Sequence, residues 1–225
     1  MRFQDAARDG RAVVYAAIQA DPLVARAADL LADAEPAMRV MARAVMNGES
    51  TERATWTAMF PTLFGPTARA APRERAEALL DVALEVAERG EAVRSQFRGA
   101  IVEELTARLL ARRSAGGAIR RERRILFDGV RAEAHPYDVT VERPGASEAH
   151  DCKWGARGIN ADVLHQLDDA RAHAAEEDER LTVGLVVFDA ARSCRVRLAA
   201  QTAPTAGIGL VTLETLDRLA REPSP

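Results

Sequence analysis

The sequence predicts an α/β protein: a mixed sheet of about four or five strands, a usual sheet size, flanked by helices and preceded by an all-α module. Three observations predict it. Apolar residues recur at helical spacing through the first ninety or so positions. After Gly116-Gly117 the period shortens to two, in segments rich in β-branched and aromatic residues. The run Leu181–Phe188 (LTVGLVVF) is the most apolar in the chain and reads as a central strand buried on both faces.

Taken in order, Val13-Val14-Ala17-Ile18, Leu23-Ala27-Leu30-Leu31 and Met38-Met41-Val45 mark helices, with Asp21-Pro22 and Asn47-Gly48 between them. Phe60–Pro72 holds three prolines and a glycine and reads as a loop or linker. A domain boundary is therefore expected there, with residues 1–72 a helical module and 73–225 a second domain. A helical pattern begins near Arg73, pauses near Gly90 and resumes from Glu91 to about Arg113. Arg123–Phe127, Tyr137–Val141 and Ala149–Trp154 are predicted strands. Ala161–Ala175 is a predicted amphipathic helix with Val163 and Leu167 on one side. Cys194–Leu198 reads as a short strand, and Thr212–Leu219 as a closing helix capped by Thr212.

Composition excludes several classes. With 48% apolar residues among 225, the chain can build a core, and disorder is not expected. No apolar run is long enough to span a bilayer, and MRFQDAARDG lacks the layout of a signal peptide. Cys152 and Cys194 have no CxxC partner, so zinc-finger and disulfide scaffolds are poor readings and a reducing cytoplasm is the expectation. The net charge of −3 argues against a wholly basic nucleic-acid coat. Yet Arg108–Arg131 concentrates eight arginines against Glu122 and Asp128. Of 31 basic residues only one, Lys153, is lysine. Arginine replaces lysine freely on a solvated surface, but not where a compact ammonium is required.

The chemistry converges on one hairpin. If the strands around Pro144-Gly145 pair symmetrically, Asp138 faces Asp151. Like charges directly across a strand pair are unfavourable unless a cation lies between them or one is protonated. In Asp151-Cys152-Lys153 alternation puts the acid and the ammonium on one face and Cys152 on the other. Two carboxylates can hold a hard divalent ion such as Mg²⁺, with the Cys152 carbonyl as a further oxygen ligand. A lysine beside them can position water and offset charge developing on a phosphate.

On Pro136-Tyr137-Asp138 followed by Asp151-Cys152-Lys153, the sequence resembles the PD-(D/E)XK nuclease superfamily, over about half the chain from near Glu91 to near Leu198. Here one residue splits Pro from Asp, and Asp stands where Glu is commoner before x-Lys. Arg98–Glu103 also resembles the first core helix of archaeal Holliday-junction resolvases, where a glycine precedes a metal-associated glutamate by four residues. This points to Glu103, with Glu104 beside it. Gln166 resembles the glutamine that often accompanies the motif on the following helix.

The resemblance implies a restriction-endonuclease-like core and a Mg²⁺- or Mn²⁺-dependent deoxyribonuclease. Its site would be Asp138, Asp151, Lys153, Glu103 and Gln166, with metal on Asp138, Asp151, Glu103 and the Cys152 carbonyl. Arg120, Arg121, Arg123 and Arg124 would contact the DNA backbone. Proteins with this core serve restriction, phage defence and repair, and cutting both strands favours a homodimer. The alternative is an inactive nuclease-fold binding or scaffolding module in a multiprotein complex, its N-terminal helices docking a protein partner. His135 and His150 read as strand-edge residues bonded to water or backbone, since no second ligand is spaced for zinc. Trp154 reads as packing beside a core strand.

Overall fold

The computed structural model describes residues 1–6, 10–48, 51–114, 116–131 and 135–221. The chain divides into a helical unit, Gly10–Leu105, and a sheet unit made of Met1–Asp9 and Thr106–Pro225. No helix among the described residues is long and apolar enough to cross a membrane.

The helical unit contains α1 (Gly10–Gln19), α2 (Pro22–Ala32), α3 (Pro36–Asn47), α4 (Arg53–Met59), α5 (Pro61–Phe64), α6 (Ala70–Ala87) and α7 (Glu91–Arg113) as far as Leu105. Asp21 starts α2 by accepting the Leu23 N–H at 2.8 Å, with proline at the first helical position. The buried stripe Leu23, Val24, Ala27, Ala28 and Leu31 then packs against α6, whose own stripe is Ala76, Leu79, Leu80 and Ala83. Arg39 of α3 is buried, and its Nε donates to the Leu31 carbonyl at the end of α2.

This packing moves the expected boundary. The proline-bearing segment does not separate domains: Pro61 opens α5 as its first residue, and α6 packs on α2 and α3. The division falls instead at Asp9/Gly10 and at Leu105/Thr106, within α7.

In the sheet unit the described strands form one mixed sheet: β1 (Arg2–Asp5), β2 (Ala118–Phe127), β3 (Val130–Arg131), β4 (Tyr137–Glu142), β5 (Ser147–Lys153), β6 (Leu181–Val187) and β7 (Ile208–Thr212). The order is β1-β2-β4-β5-β6-β7, with β3 pairing β2. β1, β2, β4 and β5 run antiparallel, and β5, β6 and β7 run parallel. Helix α8 (Ala161–Glu176) connects β5 to β6. It places Leu164, Leu167, Ala170 and Ala174 in a core with Ala149, Val183, Leu185 and Val187. β6, between two parallel neighbours, is buried at every position but Thr182, as its unbroken apolar run predicts.

Three elements differ from the sequence reading. Cys194–Leu198 is not a strand but lies in helix α9 (Ala191–Ala199). Its helical spacing puts Cys194 fully inside and leaves Val196 exposed, and Glu214 caps it by accepting the Ala191 N–H at 2.9 Å. The last parallel strand, β7, precedes the closing helix, and a parallel pair such as β6–β7 needs a crossover between its strands, which here contains α9. The third element is β1, within a stretch expected to be helical. The closing helix itself is 3₁₀, Leu213–Ala220, and the Thr212 N–H donates to Thr215 Oγ1 at 2.9 Å where it starts.

Gly184 occupies the middle of β6 for a steric reason. A Cβ there would lie 2.6 Å from Nδ1 and 3.0 Å from Cε1 of His150, a ring only 5% exposed. Gly184→Ala is therefore expected to destabilise the protein by about 1–3 kcal/mol through overpacking. Urea unfolding checks this, and an unchanged midpoint with an unchanged slope would refute it.

Candidate active site

The hairpin register is the symmetric one. Val139 pairs with His150, Thr140 with Ala149 and Val141 with Glu148, about a turn in which Gly145 takes φ 76°. One step outward in this register, Asp138 meets Asp151. Asp138 Oδ2 accepts the Cys152 N–H at 2.6 Å, which anchors the carboxylate across the strand pair. Asp151 and Lys153 lie beside Leu185 and Val187 of β6, on the face covered by α8. Cys152 points to the opposite face, where its thiol donates to Thr106 Oγ1 at 3.5 Å. Any part it has in metal binding thus falls to its backbone carbonyl.

The three residues line one cavity of about 450 Å³ at the carboxyl end of β5 and the start of α8. Open parallel sheets bind ligands outside the carboxyl ends of their strands. Asp151 is 5% exposed, and its Oδ1 pairs with Lys153 Nζ. No other donor among the described residues reaches that oxygen. Burial pulls the Lys153 pKa down, but the charges of Asp151 and Asp138 outweigh it, and the net shift is upward. Asp162 and Asp169 of α8 also line the cavity, so four carboxylates face one ammonium.

Gln166 lines the cavity too, but its amide is engaged by the backbone of His135. His150 is not at a wet strand edge. It is buried, with Nε2 3.3 Å from Glu148 Oε2, because its side of β5 is covered. Trp154 stacks on buried Phe188 with centroids 4.9 Å apart, which is a packing role.

Glu103 belongs to the helical unit. Its carboxylate accepts from Tyr15 Oη at 2.5 Å and from Gln19 Nε2 at 2.7 Å. Gly99, one turn earlier, makes room for this, since a Cβ there would sit 3.0 Å from the Tyr15 hydroxyl. Glu104, its neighbour in the sequence reading, lies in the same helix. On β2, Arg120 is exposed, while Arg121, Arg123 and Arg124 are half-buried. Arg123 is held by Glu142 at 2.7 Å and by Asp5.

Sequence reasoning passed over Glu122. The β2–β4 register, with Arg121 opposite Val139 and Arg123 opposite Tyr137, sets it across from Asp138. Their carboxylates approach within 4.8 Å. Glu122 takes φ 52°, unusual for a non-glycine residue inside a strand. Nothing local in the sequence marks it, because its placement depends on how β2 extends and pairs.

The fold and the pocket together define an α/β protein with a mixed sheet flanked by helices and an acid–lysine cluster at one sheet end. Comparison of the chain with protein-family models, with curated proteins and with solved structures finds no match in any of the three.

Proposed function

We propose that the chain is a metal-dependent nuclease hydrolysing phosphodiester bonds in DNA, with Asp138, Asp151 and Lys153 at its centre. The observation that carries this is the meeting of those three side chains in one cavity, with Asp151 Oδ1 buried and, among the described residues, approached only by the ammonium. Oxygen donors of this kind suit a hard cation such as Mg²⁺ or Mn²⁺, and the close carboxylates are better accommodated with one bound. A bound divalent ion lowers the pKa of its water and polarises a phosphoryl oxygen.

The protein's own contribution is geometric and electrostatic. Asp138, fixed by the Cys152 N–H, and Asp151, fixed by Lys153, would present oxygens to the ion. Lys153 would orient the water and balance charge on the phosphate. With four carboxylates around it, the cavity repels a bare phosphodiester, which favours a cation-assisted reading over a simple anion site. Exposed Arg120 is the best placed of the β2 arginines to meet the DNA backbone, as Arg123 is already ion-paired. Service in restriction, phage defence or repair, and a homodimeric state, belong to the same proposal.

The expected result is that purified protein cuts DNA with Mg²⁺ and stops with EDTA. Asp138→Asn should lose at least about 100-fold in rate, more than the cost of losing an outer-shell partner. Equal cutting by wild type and Asp138→Asn would refute the site. A second reading, a scaffold module without catalysis, draws on the helical unit, which has its own core and can serve as a docking body for a protein partner. It is separated by metal: at 100 times Kd, Mn²⁺ should stabilise the nuclease by about 2.7 kcal/mol, whereas a scaffold gains nothing.

A further inference from the structure

We infer that Gln166 is a positioning residue that holds Asp138 in place through the backbone of His135, an inference that rests on the metal-pocket reading above. Both ends of its amide are used on one neighbouring residue. Oε1 accepts the His135 N–H at 3.2 Å, and Nε2 donates to the His135 carbonyl at 3.0 Å. This pair of bonds imitates a β-bridge between a side chain and a strand. The Tyr137 hydroxyl, fully buried, donates to the Gln166 backbone carbonyl at 3.3 Å. One residue of α8 therefore fastens positions 135 and 137, and Asp138 is the next residue along.

That anchor matters because this end of β4 is paired with β2, through Tyr137 and Arg123, but not yet with β5. The β4–β5 ladder begins only at Val139–His150. Pro136 has no N–H to contribute, so the His135 amide is the last donor before Tyr137. Asp138 must nevertheless stay still against Cys152 if it is to hold an ion. Gln166 is itself 8% exposed, with donor and acceptor already matched to His135. It acts on the cavity through Asp138 and not by touching a substrate. Outer-shell partners of this kind typically set metal affinity by about 10–100-fold.

Gln166→Met removes both bonds at similar volume, and Gln166→Glu keeps the acceptor but loses the donor. Mn²⁺ is the probe, measured by calorimetry on the full chain, together with hydrogen exchange over residues 135–138 and the thermal midpoint. For Gln166→Met the expectation is a Mn²⁺ Kd raised about 10-fold or more. Exchange at 135–138 should quicken while α8 stays protected. Gln166→Glu should also quicken exchange there, and it decides the matter if the methionine variant does not fold. Unchanged exchange at 135–138, or unchanged Mn²⁺ affinity with faster exchange, overturns the inference. Failure of wild type to bind Mn²⁺ instead overturns the pocket reading, and the exchange data still decide whether Gln166 holds the segment.

Discussion

Replacing Lys153 by arginine is expected to lower DNA cleavage about 100-fold or more, the scale seen when a charge-stabilising group is removed from a reacting centre. Arginine keeps the charge, so a merely electrostatic surface role would survive the change. Two features say it does not. This is the one lysine among 31 basic residues, in a composition where arginine serves everywhere else. Its stem is also closely confined: a Cβ on Gly158 would lie 2.8 Å from Lys153 Cδ and 2.9 Å from Cγ. A longer side chain ending in a rigid planar fork cannot repeat the approach of a compact ammonium to Asp151.

The same confinement provides a companion variant that leaves every charge intact. Gly158→Ala must push the lysine stem aside, and misplacement by about 1 Å can cost on the order of 100-fold. Initial rates on one DNA substrate, read beside thermal midpoints, check both variants. Wild-type rates for Lys153→Arg would remove Lys153 from the chemistry.

The local part of this architecture was legible in the sequence, and the non-local part was not. Pro144-Gly145 sits between alternating segments, so the hairpin followed from period and turn, and the symmetric register, a condition in the sequence reading, is the one observed. That register sets Asp138 opposite Asp151. The buried run of β6 and the helix before it were equally plain, since each carries its own pattern. β1 spans only Arg2–Asp5 and acquires meaning from β2, more than a hundred residues later. Cys194–Leu198 reads as a short strand by itself, and its helix reflects the crossover to β7, an element the sequence does not announce. The same limit applies inside the site. Gln166 is placed at the cavity as the resemblance implies, but its bonds to the His135 backbone, like the position of Glu122, depend on other elements and no spacing rule reports them.

Across the sheet from the cavity, loss of Glu148 is expected to have the largest effect on stability. Arg113, near the end of α7, donates to both of its oxygens, at 2.9 Å to Oε1 and 2.5 Å to Oε2. Arg113 also donates to the Leu219 carbonyl at 2.8 Å, so the ion pair ties α7 and β5 to the closing 3₁₀ helix. Arg143 and His150 face the same carboxylate at 3.5 and 3.3 Å. Both partners of the main pair are buried, with side-chain exposures of 6% and 8%. Glu148→Gln leaves that guanidinium without its counter-charge, which typically costs about 3–5 kcal/mol. Burial alone would raise the Glu148 pKa, but hydrogen bonds from His150 and Arg113 and their charges hold it at about 2, against an ordinary 4.5. Because the folded value is the lower one, the ionised pair stabilises fully above pH 4.5, and the benefit fades as pH falls towards 2. Over that interval the linked stability is about 3 kcal/mol. Urea unfolding of wild type and Glu148→Gln should therefore differ most at pH 7, with the gap narrowing below pH 4.5 and closing only near pH 2. A gap of the same size at pH 7 and near pH 2 would show that the carboxylate's charge is not what joins these elements.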